Sequence, residues 1–259
     1  MRGRNRQDMN IINTNVLTSN QYHDAKSLVQ LCKQADGSRG ISFLEPETNY
    51  IREYPCFFMM YEGDTLVSFA SVFIPNESTC EIYADTLPSA RGKGYFNRIL
   101  KMIKEKNKDF NIEKTYMVND PTCIVGTKAM EAIGARLESS DYLMRYNNEV
   151  KPVPKHILTL RIEKEGDNEK YISMKEDMEI GHCYVEYTRE TAFIFDFFIC
   201  EKYRGNGYGT ETLQLLLEHL LKHGCNKILL HVNNANKAAH KMYYHHGFIH
   251  DEQLDYWRL

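Results

Sequence analysis

The feature that most constrains this chain is a turn that occurs twice. Ser89 to Phe96 reads S-A-R-G-K-G-Y-F, and Lys202 to Gly209 reads K-Y-R-G-N-G-Y-G, so both contain R-G-x-G-Y. Arg91 and Arg204 are 113 positions apart (204 − 91), and so are two later glycines, Gly134 and Gly247 (247 − 134). Two landmarks at one offset imply an internal duplication, and therefore two copies of one supersecondary plan. At 259 residues the chain is long enough for two such domains.

The elements around each turn are legible. After the second turn, Leu213, Leu216, Leu217, Leu220 and Leu221 recur at helical spacing, and Gly224 is placed to cap the helix. After the first, Phe96, Ile99, Leu100 and Ile103 repeat the pattern while the lysines from 101 to 108 take the solvent side. A hairpin is expected over Cys56 to Tyr61 and Thr65 to Ile74, then a strand over Thr79 to Leu87; Lys170 to Lys175, Glu179 to Tyr187 and Thr191 to Ile199 give the same order. Ile112 to Val118 and Lys227 to Val232 supply the strand after each helix. Helices are expected over Gln21 to Ala35 and around Glu45 to Arg52, with nothing comparable in the second half. Pro152 and Pro154 mark Asn147 to Lys155 as a linker, which divides the chain into domains 1–152 and 153–259.

A strand that runs through a glycine-rich turn into a helix leaves backbone N–H groups free at the helix start, where the dipole favours an anion. Such a cradle suits the pyrophosphate of a nucleotide or of coenzyme A. The phosphate-loop pattern G-x-x-x-x-G-K-[ST] is absent, and Thr210 after Gly209 breaks the dinucleotide pattern G-x-G-x-x-G. Net charge of −3 and a pI near 6.4 lack the basic excess that nucleic-acid binding draws on. No apolar run reaches 18 residues, the seven cysteines form no C-x-x-C pair, and no histidine pattern makes a zinc site, so the expectation is a metal-free cytoplasmic protein without a membrane span.

Arg204, Gly207 and Gly209 match the signature [RQ]-x-x-G-x-[GA], and Val232 to Phe248 looks like V-N-x-x-N-x-x-A-x-x-x-Y-x-x-x-G-F. On these two motifs the carboxy-terminal half resembles the GNAT superfamily of N-acetyltransferases, and the amino-terminal half resembles a second, degenerate copy. The resemblance implies an α/β (α+β) chain of two tandem GNAT-like domains, each a mixed, mostly antiparallel sheet flanked by helices. It implies transfer of acetyl from acetyl-CoA, or another acyl-CoA, to a primary amine of a small molecule by direct attack, in a monomer or homodimer. A non-catalytic acyl-CoA-binding module is the competing reading.

Carried over residue by residue, the resemblance gives the pyrophosphate to the amides of Arg204, Gly205, Asn206, Gly207, Tyr208, Gly209 and Thr210. It gives the pantetheine and acyl carbonyl to the strand backbone at Phe198 and Ile199, and a cofactor contact or a helix cap to Asn236. Tyr243 falls at the position of the general acid, where a phenol protonates a departing thiolate. Asp196 is the candidate base or amine anchor, with Glu186 behind it. In the first copy the tyrosine and asparagine positions hold Met130 and Cys123, so chemistry is expected only in the second. The second half lacks the helices that usually hold an acceptor, so the first domain is expected to wall that site.

Overall fold

The computed structural model describes residues 9–38, 42–44, 46–147, 156–188 and 190–259. All of the expected linker except Asn147 lies outside these residues. The chain divides into two compact units, Met1–Ser139 with Leu254–Leu259, and Ser140–Gln253.

The first unit contains β1 (Met9–Thr14), α1 (Ser19–Asp36), β2 (Phe57–Glu62), β3 (Thr65–Asn76), β4 (Thr79–Thr86), α2 (Tyr95–Asp109), β5 (Lys114–Asn119) and α3 (Ile124–Ala132). A long strand, β6 (Arg136–Tyr146), leads out of it. The second unit contains β7 (Thr159–Glu165), β8 (Asn168–Lys175), β9 (Met178–Thr188), β10 (Thr191–Ile199), α4 (Tyr208–Lys222), β11 (Lys227–Asn233) and α5 (Lys237–His245), and leads into β12 (Phe248–Arg258). Helices α2 and α4 begin and end 113 residues apart, as do α3 and α5, so the duplication holds element by element.

Within each unit the strands follow one plan. In the first, β1 to β4 pair antiparallel in order, β4 pairs parallel with β5, and β5 pairs antiparallel with Asp255–Arg258 of β12. In the second, β7 to β10 pair antiparallel, β10 pairs parallel with β11, and β11 pairs antiparallel with Asp141–Arg145 of β6. The sixth strand of each unit therefore comes from the other copy. Met144, fully buried, and Tyr146 belong to the core of the second unit, not the first.

Two local expectations change. Around Glu45 to Arg52, where Glu45 lies outside the described residues, a short 3-10 turn at Pro46–Thr48 and a turn at Ile51–Tyr54 replace the expected helix. Buried Asn49 holds this segment as a strap on β3, accepting from the Ile74 amide and donating to the Val72 carbonyl, so the backbone does not wind on into a helix. On α4, Leu213, Leu216, Leu217 and Leu220 are fully buried, but Leu221 falls outside the apolar stripe and is 37% exposed.

Candidate functional site

The turn of the second unit is built to leave amides free. Gly205 and Gly207 adopt φ of 77° and 81°, the left-handed region that side chains disfavour. Arg204 Nε donates to the Ile199 carbonyl at 2.9 Å, and Asn206 Nδ2 donates to the Tyr203 and Arg204 carbonyls, so side chains brace the loop from outside. Gly207 sits at the start of α4 with no side-chain cap, leaving the amides of the first turn without an internal acceptor. Glu211, the first-turn acid, is spent on the amides of Ile157 and Leu158. Two cations border the loop: the exposed Arg204 guanidinium, 3.8 Å from Glu201, stands 5.5 Å over the Phe198 ring, and Lys175 Nζ donates to Tyr208 Oη at 2.7 Å.

The strand leading into this turn opens a cleft. β10 pairs with β11 only from Thr191/Lys227 to Ile194/Leu230, after which both strands continue without pairing to Ile199 and Asn233. On its other side β10 carries a bulge, with Phe195 opposite Tyr184 and Phe198 opposite His182. The extra residue includes Asp196, whose φ of 47° is a strained conformation for a residue with a side chain. Backbone polar groups of β10 beyond Ile194 thus face the gap toward β11. At Gly181, a Cβ would come within 2.2 Å of the Phe198 carbonyl, so glycine is needed for β9 to follow the bulge.

Tyr243 lies on α5, whose first turn Asn236 caps by accepting from the Ala239 amide at 3.1 Å. Asn236 therefore serves as a helix cap. Asn233, expected in a loop, is the last residue of β11, where its side chain donates to Asp141 and accepts from the Ala235 amide. The Tyr243 ring packs edge-on against Phe197 of β10 at 6.1 Å and tilted against Phe248, and is 5% exposed. Burial, with nearby Cys183 adding to it, pushes its phenol well above the ordinary tyrosine value, so it stays protonated at neutral pH.

Asp196 projects from the bulge, 65% exposed at its side chain, with its carboxylate 3.8 Å from His182 Nε2. Glu179 stands 3.7 Å from the other ring nitrogen of His182, and the ring lies 5.4 Å from Phe198. His182 was not singled out by sequence. Its signal is the alternation on β9, which puts His182, Tyr184 and Glu186 on one face and the buried Cys183 and Val185 on the other. Glu186, opposite Phe193, is exposed farther down the strand.

The first unit repeats the frame with other chemistry. Gly92 and Gly94 have φ of 77° and 81°, Arg91 Nε donates to the Thr86 carbonyl, and β4 pairs with β5 only as far as Ile82/Met117. Cys123 caps α3 through its sulfur, and Met130 is buried where the other copy has Tyr243. β4 has no bulge beside its turn, and Arg91 is clamped bidentate on Asp36.

Comparison with known proteins agrees with this geometry. Residues 137–248 match the acetyltransferase (GNAT) family, a segment that starts in β6, as the second unit does. The chain is 39% identical over 67 residues to an uncharacterized N-acetyltransferase, YycN, of Bacillus subtilis, covering 26% of this chain and 43% of that protein. It is 36% identical over 61 residues to the spermine/spermidine N(1)-acetyltransferase of the same organism, covering 23% and 40%. The matches thus span less than half the length of these relatives. Among solved structures, a GCN5-related N-acetyltransferase from Sphaerobacter thermophilus superposes with a TM-score of 0.75 at 14% identity, over 96% of this chain and 95% of that one. A tandem GNAT protein from the clavulanic acid biosynthesis pathway superposes with a TM-score of 0.69 at 11% identity, over 97% and 98%. Residues 137–248 thus match the acetyltransferase (GNAT) family, and the fold of the chain is that of the GCN5-related and tandem GNAT structures.

Proposed function

We propose that the second unit moves an acyl group, most simply acetyl, from acyl-CoA to a primary amine of a small molecule. The observation that carries this reading is the end of β10/β11 pairing at Ile194/Leu230, where a strand edge opens directly above an uncapped helix start. An extended amide-bearing arm can add to the edge from Phe195 to Ile199 while its pyrophosphate rests on the amides from Arg204 to Thr210. Arg204 and Lys175 supply the positive charge at that end. This is the shape and polarity of coenzyme A, and no metal is needed for the step.

In this mechanism the amine nitrogen attacks the thioester carbonyl within the ternary complex. The C–N bond forms, the carbonyl becomes a tetrahedral oxyanion, and its collapse breaks the C–S bond. Tyr243 gives its proton to the departing thiolate. An alkyl ammonium must first lose a proton, and His182, held between Asp196 and Glu179, is the group we assign to take it, directly or through water. Exposed Asp196 and Glu186 favour a cationic acceptor, in keeping with the polyamine enzyme among the relatives. No described helix is long and apolar enough to cross a membrane, and all seven cysteines are free, which fits action on a soluble amine in a reducing compartment.

The competing reading, an acyl-CoA-binding module without turnover, draws on the close packing of Tyr243. Thiol release from acetyl-CoA with a panel of amines separates the two. Turnover that falls about 100-fold in Tyr243→Phe, with the KM for acetyl-CoA nearly unchanged, supports the enzyme. CoA binding without turnover in any amine supports the module.

A further inference from the structure

The first unit contains a cavity of about 420 Å³, within the range of small-molecule sites. It lies along the free edge of β4, under the start of α2, and is closed by α3. By position it is the counterpart of the cleft in the second unit, but its walls select against acyl-CoA. Arg91, whose counterpart Arg204 is exposed, is held by both Asp36 oxygens at 2.7 and 2.8 Å and is not free to meet a phosphate. Asp36, Asp85 and Asp120 line the cavity against Lys33 and Arg91, so a ligand bearing several negative charges meets net negative walls.

Asp85 is the decisive residue. It occupies on β4 the place that exposed Phe198 has on β10, one residue before the carbonyl that receives the turn arginine. Asp85 lines the cavity and is half-buried. The Cys32 thiol of α1, which donates to the Thr86 carbonyl, lies beside Asp85; Lys33 and Arg91 act on its carboxyl only through space, and Asp36 repels it. Among the described residues no cation comes within ion-pair distance of it, since Arg91 belongs to Asp36. A half-buried carboxylate without a paired charge in a cavity favours a partner that brings a positive charge and N–H donors.

We propose that this cavity binds a small protonated amine, with the ammonium group against Asp85. The site is separate from the acyl-transfer site and does not depend on it. If the second unit acylates amines, the first holds a molecule of the same chemical class, and so reports on or retains acceptor rather than cofactor.

The test is calorimetric titration of the full chain with 1,4-diaminobutane, and with 1,4-butanediol as the uncharged control, at pH 8. The expected result is a diamine-binding event that the diol lacks and that Asp196→Asn leaves unchanged; it is weakened at least tenfold in Asp85→Asn and lost in Ala129→Phe, which fills the cavity from α3. Both cavity variants should still bind one equivalent of CoA. Unchanged diamine binding in both cavity variants overturns the proposal, as does uptake of two equivalents of CoA by the wild type. Absence of acyl transfer to every amine would sink the catalytic reading while leaving this result to stand or fall on its own.

Discussion

Asp196 and His182 face each other across 3.8 Å because β10 carries one residue more than β4. The strand starts, Thr79 and Thr191, are 112 apart (191 − 79), whereas the strand ends, Thr86 and Ile199, are 113 apart (199 − 86). The added residue is absorbed in the bulge, which turns Asp196 out toward the His182 side of β9. If the two side chains act as one unit on the amine, their losses will not add. His182→Ala and Asp196→Asn should each lower kcat about 10- to 100-fold, and the double variant should fall little further. Steady-state kinetics at saturating acetyl-CoA measures this. Multiplicative losses would mean that the two residues work separately.

The turn, both flanking helices and the position of Tyr243 were legible because each rests on local chemistry: glycines at positive φ, a leucine stripe, and an asparagine cap seven residues before the tyrosine. The bulge left a trace in the shift of offset from 112 to 113, but two landmarks beyond it could not reveal that. The sixth strands were not legible. Strand pairing is non-local, and nothing near Met144 states that its buried partners lie in a core whose other strands begin beyond residue 155. The Asp85 cavity escaped for a similar reason, since Asp36 and Cys32 come from α1 and Arg91 from a turn some 55 residues later.

Asp85 also gives the protein a specific pH dependence. Burial raises its carboxyl from 3.8 to about 6, with the neighbouring Cys32 thiol and the cations Lys33 and Arg91 opposing the shift and Asp36 adding to it. The folded state therefore holds this proton more tightly than the unfolded chain. The associated stability is present below about pH 4 and is lost as pH rises through about 6, a difference on the order of 2 kcal/mol. Asp85→Asn removes that loss. Urea unfolding should find the variant close to wild type at pH 4 and more stable by on the order of 1–2 kcal/mol at pH 7.5. A variant that is less stable at pH 7.5 would show that the charged form makes favourable contacts in the fold.

The exchanged strands decide which fragments can stand alone. A fragment cut at the proline-bearing segment, residues 153–259, keeps α4, α5 and the turn but loses Asp141–Arg145. It thereby exposes one edge of β11 and leaves the place of fully buried Met144 vacant, a loss of about 2–3 kcal/mol for that side chain alone. Residues 136–253 retain this strand and omit only the terminal segment that completes the first unit. The longer fragment should be monodisperse, melt cooperatively and bind CoA; the shorter one should aggregate or show a broad, non-cooperative transition. Size-exclusion chromatography with thermal circular dichroism distinguishes them. A cooperative melt of residues 153–259 at the temperature of the longer fragment would mean that β6 is dispensable to the second core.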